Sequence, residues 1–269
     1  MGSNLWITGL QTCVSVTLLA RGWLTWRWDS PIRGLFWNEG WWGGRIDWTK
    51  FATGSDESIT RGLETLGVVL MGCAVIPWLI DLPKLRWSRW LLIPLAGVLV
   101  IDAFARFIDS GNQFGMGIEH SSQWGCPLLL LAAVQWPGGG KAWCVAAMVA
   151  TMLTFVGHGL YAFGFHPVPL KYRTMTSALL GLSEVGTLRF LYIAGILDFV
   201  AAAALFLKPL QRLAFCYMIV WGAATAFARV CSGPSLDPWL METVVRSSHW
   251  MIPLLILALI RMESPDSKE

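Results

Sequence analysis

The sequence has little charge and lacks the motifs that identify common soluble enzymes. Charged residues make up 14% of its 269 positions, whereas soluble domains carry about 25%. It contains no phosphate-binding P-loop, no dinucleotide-binding glycine fingerprint, no HExxH and no GxSxG. Its six cysteines include no CxxC pair. The low charge excludes an ordinary soluble domain, and nothing in the motifs supports nucleotide chemistry within this chain.

Long apolar runs dominate instead, and hydrophobic residues make up 55% of the chain. A run of about 20 apolar residues matches the thickness of a bilayer core. The runs predict an all-α membrane protein with about eight transmembrane helices, near residues 5–26, 63–81, 90–108, 118–136, 142–163, 188–207, 213–231 and 242–261. The net charge of only +3, divided among short loops, excludes nucleic acid as a partner.

The basic residues of the loops predict the orientation. Short loops on one side of the membrane carry Lys84, Arg86, Arg89, Lys141, Lys208 and Arg212. The positive-inside rule places these loops and both termini in the cytoplasm, with the longer tryptophan-containing segment 27–62 outside. The first apolar run follows no basic segment and no cleavage site, so we expect it to remain as a span in a cell inner membrane.

An internal repeat predicts the architecture. AFAR occurs at 103–106 and at 226–229, and SSQWGCPLLLLA at 121–132 is echoed by SSHWMIPLLILA at 247–258. The repeat divides the chain into two four-helix transmembrane units, 1–139 and 140–269. Because each unit has an even number of spans, the two copies should have the same orientation in the membrane, as parallel repeats.

Eight ionisable residues fall within or beside the predicted spans, all toward the outer side. An ionisable side chain at this depth costs about 3 kcal/mol on insertion scales and often marks function. Repeat-equivalent positions meet near the pseudo-twofold axis, so we expect an outward-facing polar pocket between the units. Its candidate ligand-binding residues are Arg21, Arg106, Glu119, His120, His158, Arg229, Arg246 and His249. The alternative is that these residues only tie helices together.

Two carboxylates, Asp102 and Asp198, are predicted nearer the bilayer centre. Each should pair with a basic neighbour or remain protonated. Asp198 suits either a proton relay or an interhelical hydrogen bond. The sequence offers no obvious partner for either residue.

A quinone fits these residue types best as a cofactor. Four histidines would suffice for haem b or a metal centre, but no two have the i, i+3 or i, i+4 spacing of a metal motif. A quinone places an apolar body among spans, where histidine can hydrogen-bond a carbonyl oxygen and arginine can stabilise the reduced anion. The same side chains could hold a phospholipid phosphate or another anion. No catalytic residue can be assigned.

The four-span unit resembles the DoxX-like membrane proteins and, more distantly, the membrane region of the vitamin K-dependent carboxylase group. The resemblance rests on span order, an Arg-Gly pair near the end of the first span, and a polar fourth span, EHSSQWGCPLLLLA. It covers each half of the chain separately, whereas this chain fuses two units. It implies quinone-linked membrane redox chemistry, or a membrane subunit beside a redox partner.

Three functions therefore follow as hypotheses. The first is a quinone-linked membrane component of an oxidoreductase or electron-transfer system, with lipids and other complex subunits as partners. The second is a non-catalytic subunit that scaffolds or anchors a larger complex. The third is a small-anion transporter.

The orientation can be tested by cysteine labelling. A cysteine introduced within residues 40–56 should react with a membrane-impermeant maleimide added outside, and one introduced beside Lys141 should not, because the basic loops are retained in the cytoplasm. The reverse labelling pattern would overturn the orientation.

Overall fold

A computed structural model describes residues 2–42, 44–136, 140–233 and 235–262, and these residues form helices and turns without a strand. The predicted all-helical class is confirmed over these ranges. The helices are α1 (Gly2–Arg27), α2 (Ile32–Phe36), α3 (Glu39–Trp42), α4 (Trp48–Gly54), α5 (Asp56–Cys73), α6 (Ile76–Leu79), a 3₁₀ helix (Pro83–Leu91), α7 (Leu92–Asp109), α8 (Phe114–Glu119), α9 (Ser121–Gln135), α10 (Gly140–Ala162), α11 (Leu170–Leu180), α12 (Glu184–Ala204), α13 (Lys208–Ser232), α14 (Leu236–Val245) and α15 (Ser247–Met262).

Within these ranges, six helical stretches are long and apolar enough to cross a bilayer, as expected for a multi-pass membrane protein. They are Asp56–Leu79, Pro83–Asp109, Lys141–Ala162, Glu184–Ala204, Lys208–Ser232 and Leu236–Ile260. The predicted count of eight is not confirmed. The first predicted span, α1, has 26 residues but contains polar side chains such as Gln11 and Arg21. The fourth is divided between α8 and the 15-residue α9.

Four helices form the centre of the bundle. The helices α9 and α15 pack against each other, and α1 and α10 each contact both of them. The buried core between them includes Trp6, Leu10, Leu130, Ile252 and Ile256. The polar beginnings of α9 and α15 therefore lie inside the protein, where their side chains face other helices.

Glycine allows two pairs of helices to approach closely. Where α1 packs against α5, a Cβ atom added to Gly67 would lie 2.6 Å from the carbonyl oxygen of Gly22 and 2.5 Å from the amide nitrogen of Trp26. Where α10 packs against α12, a Cβ atom on Gly159 would lie 3.2 Å from the carbonyl oxygen of Gly195. Small residues at such crossings let the backbones approach closely, and the resulting dispersion contacts stabilise helix packing in membrane proteins.

Two breaks in the helices occur beside the polar residues. His120 separates α8 from α9 with φ −91° and ψ 7°, and Arg246 follows α14 with φ −89° and ψ 5°. Pro127 and Pro253 lie inside α9 and α15. A histidine and an arginine thus interrupt the helical dihedral angles, and the first turns of α9 and α15 contribute Gln123 and His249 to the polar cluster.

Helices also occur in two segments predicted as outer loops. The segment 27–62 contains α2, α3, α4 and the start of α5. The segment 164–187 contains α11, which begins after Pro169 and ends at Gly181 with φ +64°. A proline before a helix and a left-handed glycine after it are recognised start and stop signals. The predicted boundary between the units falls on 137–139, outside the described residues.

The crossing of α1 and α5 predicts the effect of one added methyl group. Gly67→Ala should lower the free energy of unfolding by about 1–3 kcal/mol, because the methyl group would clash with backbone atoms that cannot move independently. Gly72→Ala in the same helix is the matched control, since nothing lies within 4 Å of an added Cβ atom there. Thermal unfolding in detergent measures both variants. Equal melting temperatures for the two would contradict the packing described.

Candidate functional site

The structure brings the eight predicted site residues into one cluster. Five are buried and three are half-buried; the half-buried ones are Arg106, His158 and Arg246. His249 lies close enough to Arg246, His120, Arg229 and His158 to interact electrostatically with each of them. The eight residues of this cluster come from both halves of the chain.

Asp102 is surrounded by two arginines. Arg106, one turn later on α7, donates from Nε to Asp102 Oδ2 at 2.9 Å. The Nε atom of Arg21 on α1 lies 3.5 Å from the same oxygen. Arg21 also donates from Nη2 to Gln123 Oε1 at 2.9 Å. The side-chain nitrogen of Gln123, Nε2, lies 3.3 Å from His249 Nε2. This network joins α1, α7, α9 and α15.

Asp198 forms a second network with His158 and Tyr217. Its carboxylate is fully buried, and Oδ2 lies 2.7 Å from His158 Nδ1. Tyr217 donates its hydroxyl to Oδ1 at 2.8 Å. Since Nδ1 is engaged, the carboxylate fixes the orientation of the imidazole and leaves Nε2 for another partner. His158 and Asp198 are 40 positions apart, so no local sequence pattern indicated this pair.

Helix α11 contributes two residues that the sequence analysis did not select. Tyr172 donates its hydroxyl to Glu119 Oε1 at 3.2 Å. The Nζ atom of Lys171 lies 3.9 Å from the ring centre of Trp239. Burial lowers the pKa of Lys171 to about 8, although Glu242 opposes the shift. Recognising α11 from Pro169 and Gly181 would have pointed to both residues.

Arg229 differs from the other three arginines of this cluster because it has no carboxylate partner. The residue is 3% exposed, and no Asp or Glu oxygen lies within 4.0 Å of its side-chain nitrogens among the described residues. Nη1 donates to the carbonyl oxygen of Thr225 at 2.5 Å, and the buried Nε has no acceptor. The repeat explains the difference, since AFAR follows Asp102 in one copy and Thr225 in the other.

The cluster contains more positive than negative charge. Its arginine and lysine side chains are Arg21, Arg106, Lys171, Arg229 and Arg246, and three carboxylates, Asp102, Glu119 and Glu242, lie among them. Asp198 is engaged by His158. An uncompensated buried charge is costly. The surplus favours an anion, or a ligand whose polar head accepts hydrogen bonds.

Two cavities reach this cluster. The first, which we call the apolar cavity, has a volume of about 170 Å³ and is lined by His158, Tyr172, Leu179, Phe190, Trp221 and Arg229, among others. The second, the charged cavity, has a volume of about 350 Å³, and its lining includes Arg21, Trp28, Arg106, Lys171, Trp239 and Glu242. Four of the predicted site residues line neither cavity: Glu119, His120, Arg246 and His249. Their part in the site is therefore to position other residues rather than to contact a ligand.

Comparison with protein-family models, with curated proteins and with solved structures finds no match to this chain. The DoxX-like resemblance therefore stays a prediction. In the part of the chain that the structure describes, no three His, Cys, Asp or Glu residues are grouped closely enough to hold a metal ion. The functional argument thus depends on the geometry of the two cavities.

The missing partner of Arg229 can be supplied by mutation. Thr225→Asp places a carboxylate one turn before Arg229, as Asp102 stands before Arg106. This variant should unfold at a higher temperature than the uncharged control Thr225→Asn, by about 2–4 °C if the pair is worth about 1 kcal/mol. Scanning fluorimetry of ligand-free protein in detergent measures the difference. If Thr225→Asp were the less stable of the two, Arg229 would already be compensated.

Proposed function

We propose that this protein is a quinone-binding membrane component of an oxidoreductase or electron-transfer system. The observation that carries the proposal is a buried arginine without a carboxylate partner, Arg229, in the wall of an apolar cavity that also contains a carboxylate-oriented histidine, His158. A quinone has the matching form, because its ring is apolar and its two carbonyl oxygens accept hydrogen bonds.

The lining of the apolar cavity suits a quinone head group. Trp221, Phe190 and Leu179 provide apolar surface for the ring. Arg229 can donate to one carbonyl oxygen and stabilise negative charge that develops there on reduction. His158, held by Asp198 through Nδ1, can donate or accept a proton at Nε2.

Reduction of a quinone to a quinol consumes two electrons and two protons. His158 can deliver a proton, and Asp198 and Tyr217 lie behind it in a hydrogen-bonded row. The sequence carries no nucleotide fingerprint from which electrons could come. The proposal therefore includes a redox partner subunit or a diffusible reductant as the electron donor.

We also propose that the chain consists of two parallel four-helix units, 1–139 and 140–269. Three correspondences in the packing support this arrangement. Glycines join α1 to α5 and α10 to α12; α1 packs against α14 while α10 packs against α8; and the helix breaks fall at the repeat-equivalent residues His120 and Arg246. A DoxX-like origin, eight spans, cytoplasmic termini and an inner-membrane location belong to the same proposal.

Two alternatives each have one supporting observation. Hydrogen bonds such as that from Arg21 to Gln123 tie distant helices together, as a scaffolding subunit requires. The breaks at His120 and Arg246 resemble the discontinuous helices found at transporter sites, which favours a small-anion transporter. A scaffold does not explain why Arg229 lines a cavity without a carboxylate, and the apolar lining of that cavity favours a quinone over a small anion.

Equilibrium dialysis of a short-chain ubiquinone analogue and a menaquinone analogue against protein in zwitterionic nanodiscs tests the proposal. Arg229→Gln should weaken binding about tenfold or more, since the lost hydrogen bond involves a charged donor. Arg173→Gln, at a half-buried α11 side chain that pairs with Glu184 and does not line the apolar cavity, is the matched control and should bind as the wild type does. His249→Ala should have a smaller effect than Arg229→Gln, because His249 does not line the cavity.

The same experiment separates the alternatives. Binding of an anionic phospholipid without binding of either quinone would replace the quinone with a lipid head group. Binding of neither class, with both variants changed only in thermal stability, would favour the scaffold. Anion uptake into proteoliposomes that Arg229→Gln abolishes would favour the transporter.

A further inference from the structure

The two carboxylates in the lining of the charged cavity are paired with arginines that lie outside it. Glu242, on α14, pairs with Arg246, the residue that follows this helix. Asp29, also in the lining, pairs with Arg33 at 2.6 Å. Asp102, which lies behind Arg106, accepts its closest hydrogen bond from that residue.

Two cations in the lining are left without a matched carboxylate. Lys171 has no acidic oxygen within 4.0 Å among the described residues, and its ammonium group contacts the face of Trp239. Arg21 shares Asp102 at 3.5 Å, and its Nε atom, in a side chain 3% exposed, has no hydrogen-bond acceptor. Both side chains lie at the same cavity, which already contains the Arg106 guanidinium.

We infer that the charged cavity is a binding site for a small oxyanion of the phosphate, sulfate or carboxylate class, held by Lys171, Arg21 and Arg106. Guanidinium and ammonium groups bind such oxygens through charge-assisted hydrogen bonds. The oxyanion enters free from solution or as the phosphate of an anionic lipid, and Trp28 and Trp239 form walls compatible with either source. This site is independent of the apolar cavity proposed for a quinone, and nothing in the inference requires redox activity.

Sulfate titrated into protein in zwitterionic nanodiscs tests the site, with chloride at equal ionic strength as the reference. The melting temperature should rise with sulfate, because binding to the folded state stabilises it. Lys171→Met should weaken the apparent affinity at least tenfold, and Lys171→Arg should retain it within a few-fold. Lys50→Met, the same substitution at a side chain that is 86% exposed, should behave as the wild type does.

A gain-of-function variant keeps the test valid if Lys171→Met folds poorly. Glu242→Gln removes one of the two negative charges in the lining and should tighten sulfate binding several-fold. Nanodiscs containing phosphatidic acid, without added sulfate, form the second arm. Stabilisation by sulfate supports a soluble oxyanion, whereas stabilisation that requires phosphatidic acid and Lys171 supports a lipid phosphate.

The inference also predicts a pH dependence. Lys171 faces Glu242 from α14, Arg246 just after α14, Arg229 from α13 and Arg106 from α7, and its pKa lies at about 8. Its ammonium form is lost as the pH rises, so sulfate affinity should fall between pH 7 and pH 9, and fall less in Lys171→Arg. Equal responses of the wild type and Lys171→Met to sulfate and to phosphatidic acid would overturn the inference.

Discussion

The free-energy cost of burying an unpaired charge in an apolar environment determines which side chains of this protein pair with each other. Each buried ionic group must find an opposite charge, a set of hydrogen bonds or a ligand. Asp102 meets that requirement with Arg106 and Arg21, and Asp198 with His158 and Tyr217. These side chains come from α1, α7, α10, α12 and α13, so satisfying the carboxylates also determines how the helices are arranged.

Close helix packing makes those pairings possible. Gly22 with Gly67, and Gly159 with Gly195, bring the backbones of α1 and α5 and of α10 and α12 together. Arg21 directly precedes Gly22 and His158 directly precedes Gly159, so each glycine crossing places an ionisable side chain at a defined depth in the bundle. A larger residue at either crossing would separate the helices and move the polar side chain away from its partner.

The sequence was a good guide to the apolar helices and to the eight residues of the polar cluster. It was a poorer guide to the ion-pair and hydrogen-bond partners of those residues. Arg106 stands four residues after Asp102, so helical spacing alone could have identified that pair. The pair of His158 with Asp198 crosses from α10 to α12 and depends on a packing angle that no local pattern encodes. The eight-span count is not confirmed, because α1 contains polar residues such as Gln11 and Arg21 and because His120 interrupts the fourth predicted run. Lys171 was missed because its segment was interpreted as a loop.

Arg106 and Arg229 differ in whether they have a carboxylate partner, and this difference bears on whether the polar cluster only ties helices together. Both arginines end an AFAR sequence, but only Arg106 has a carboxylate one turn earlier, because Thr225 replaces the aspartate in the second copy. If the polar cluster served only to hold helices together, an acidic residue at 225 would stabilise it at little structural cost. A buried Arg229 without a carboxylate partner lowers the stability of the folded protein at the wall of a cavity. A local loss of stability of this kind is typical of functional sites. This asymmetry is the reason to rank a ligand-binding role above a scaffolding role.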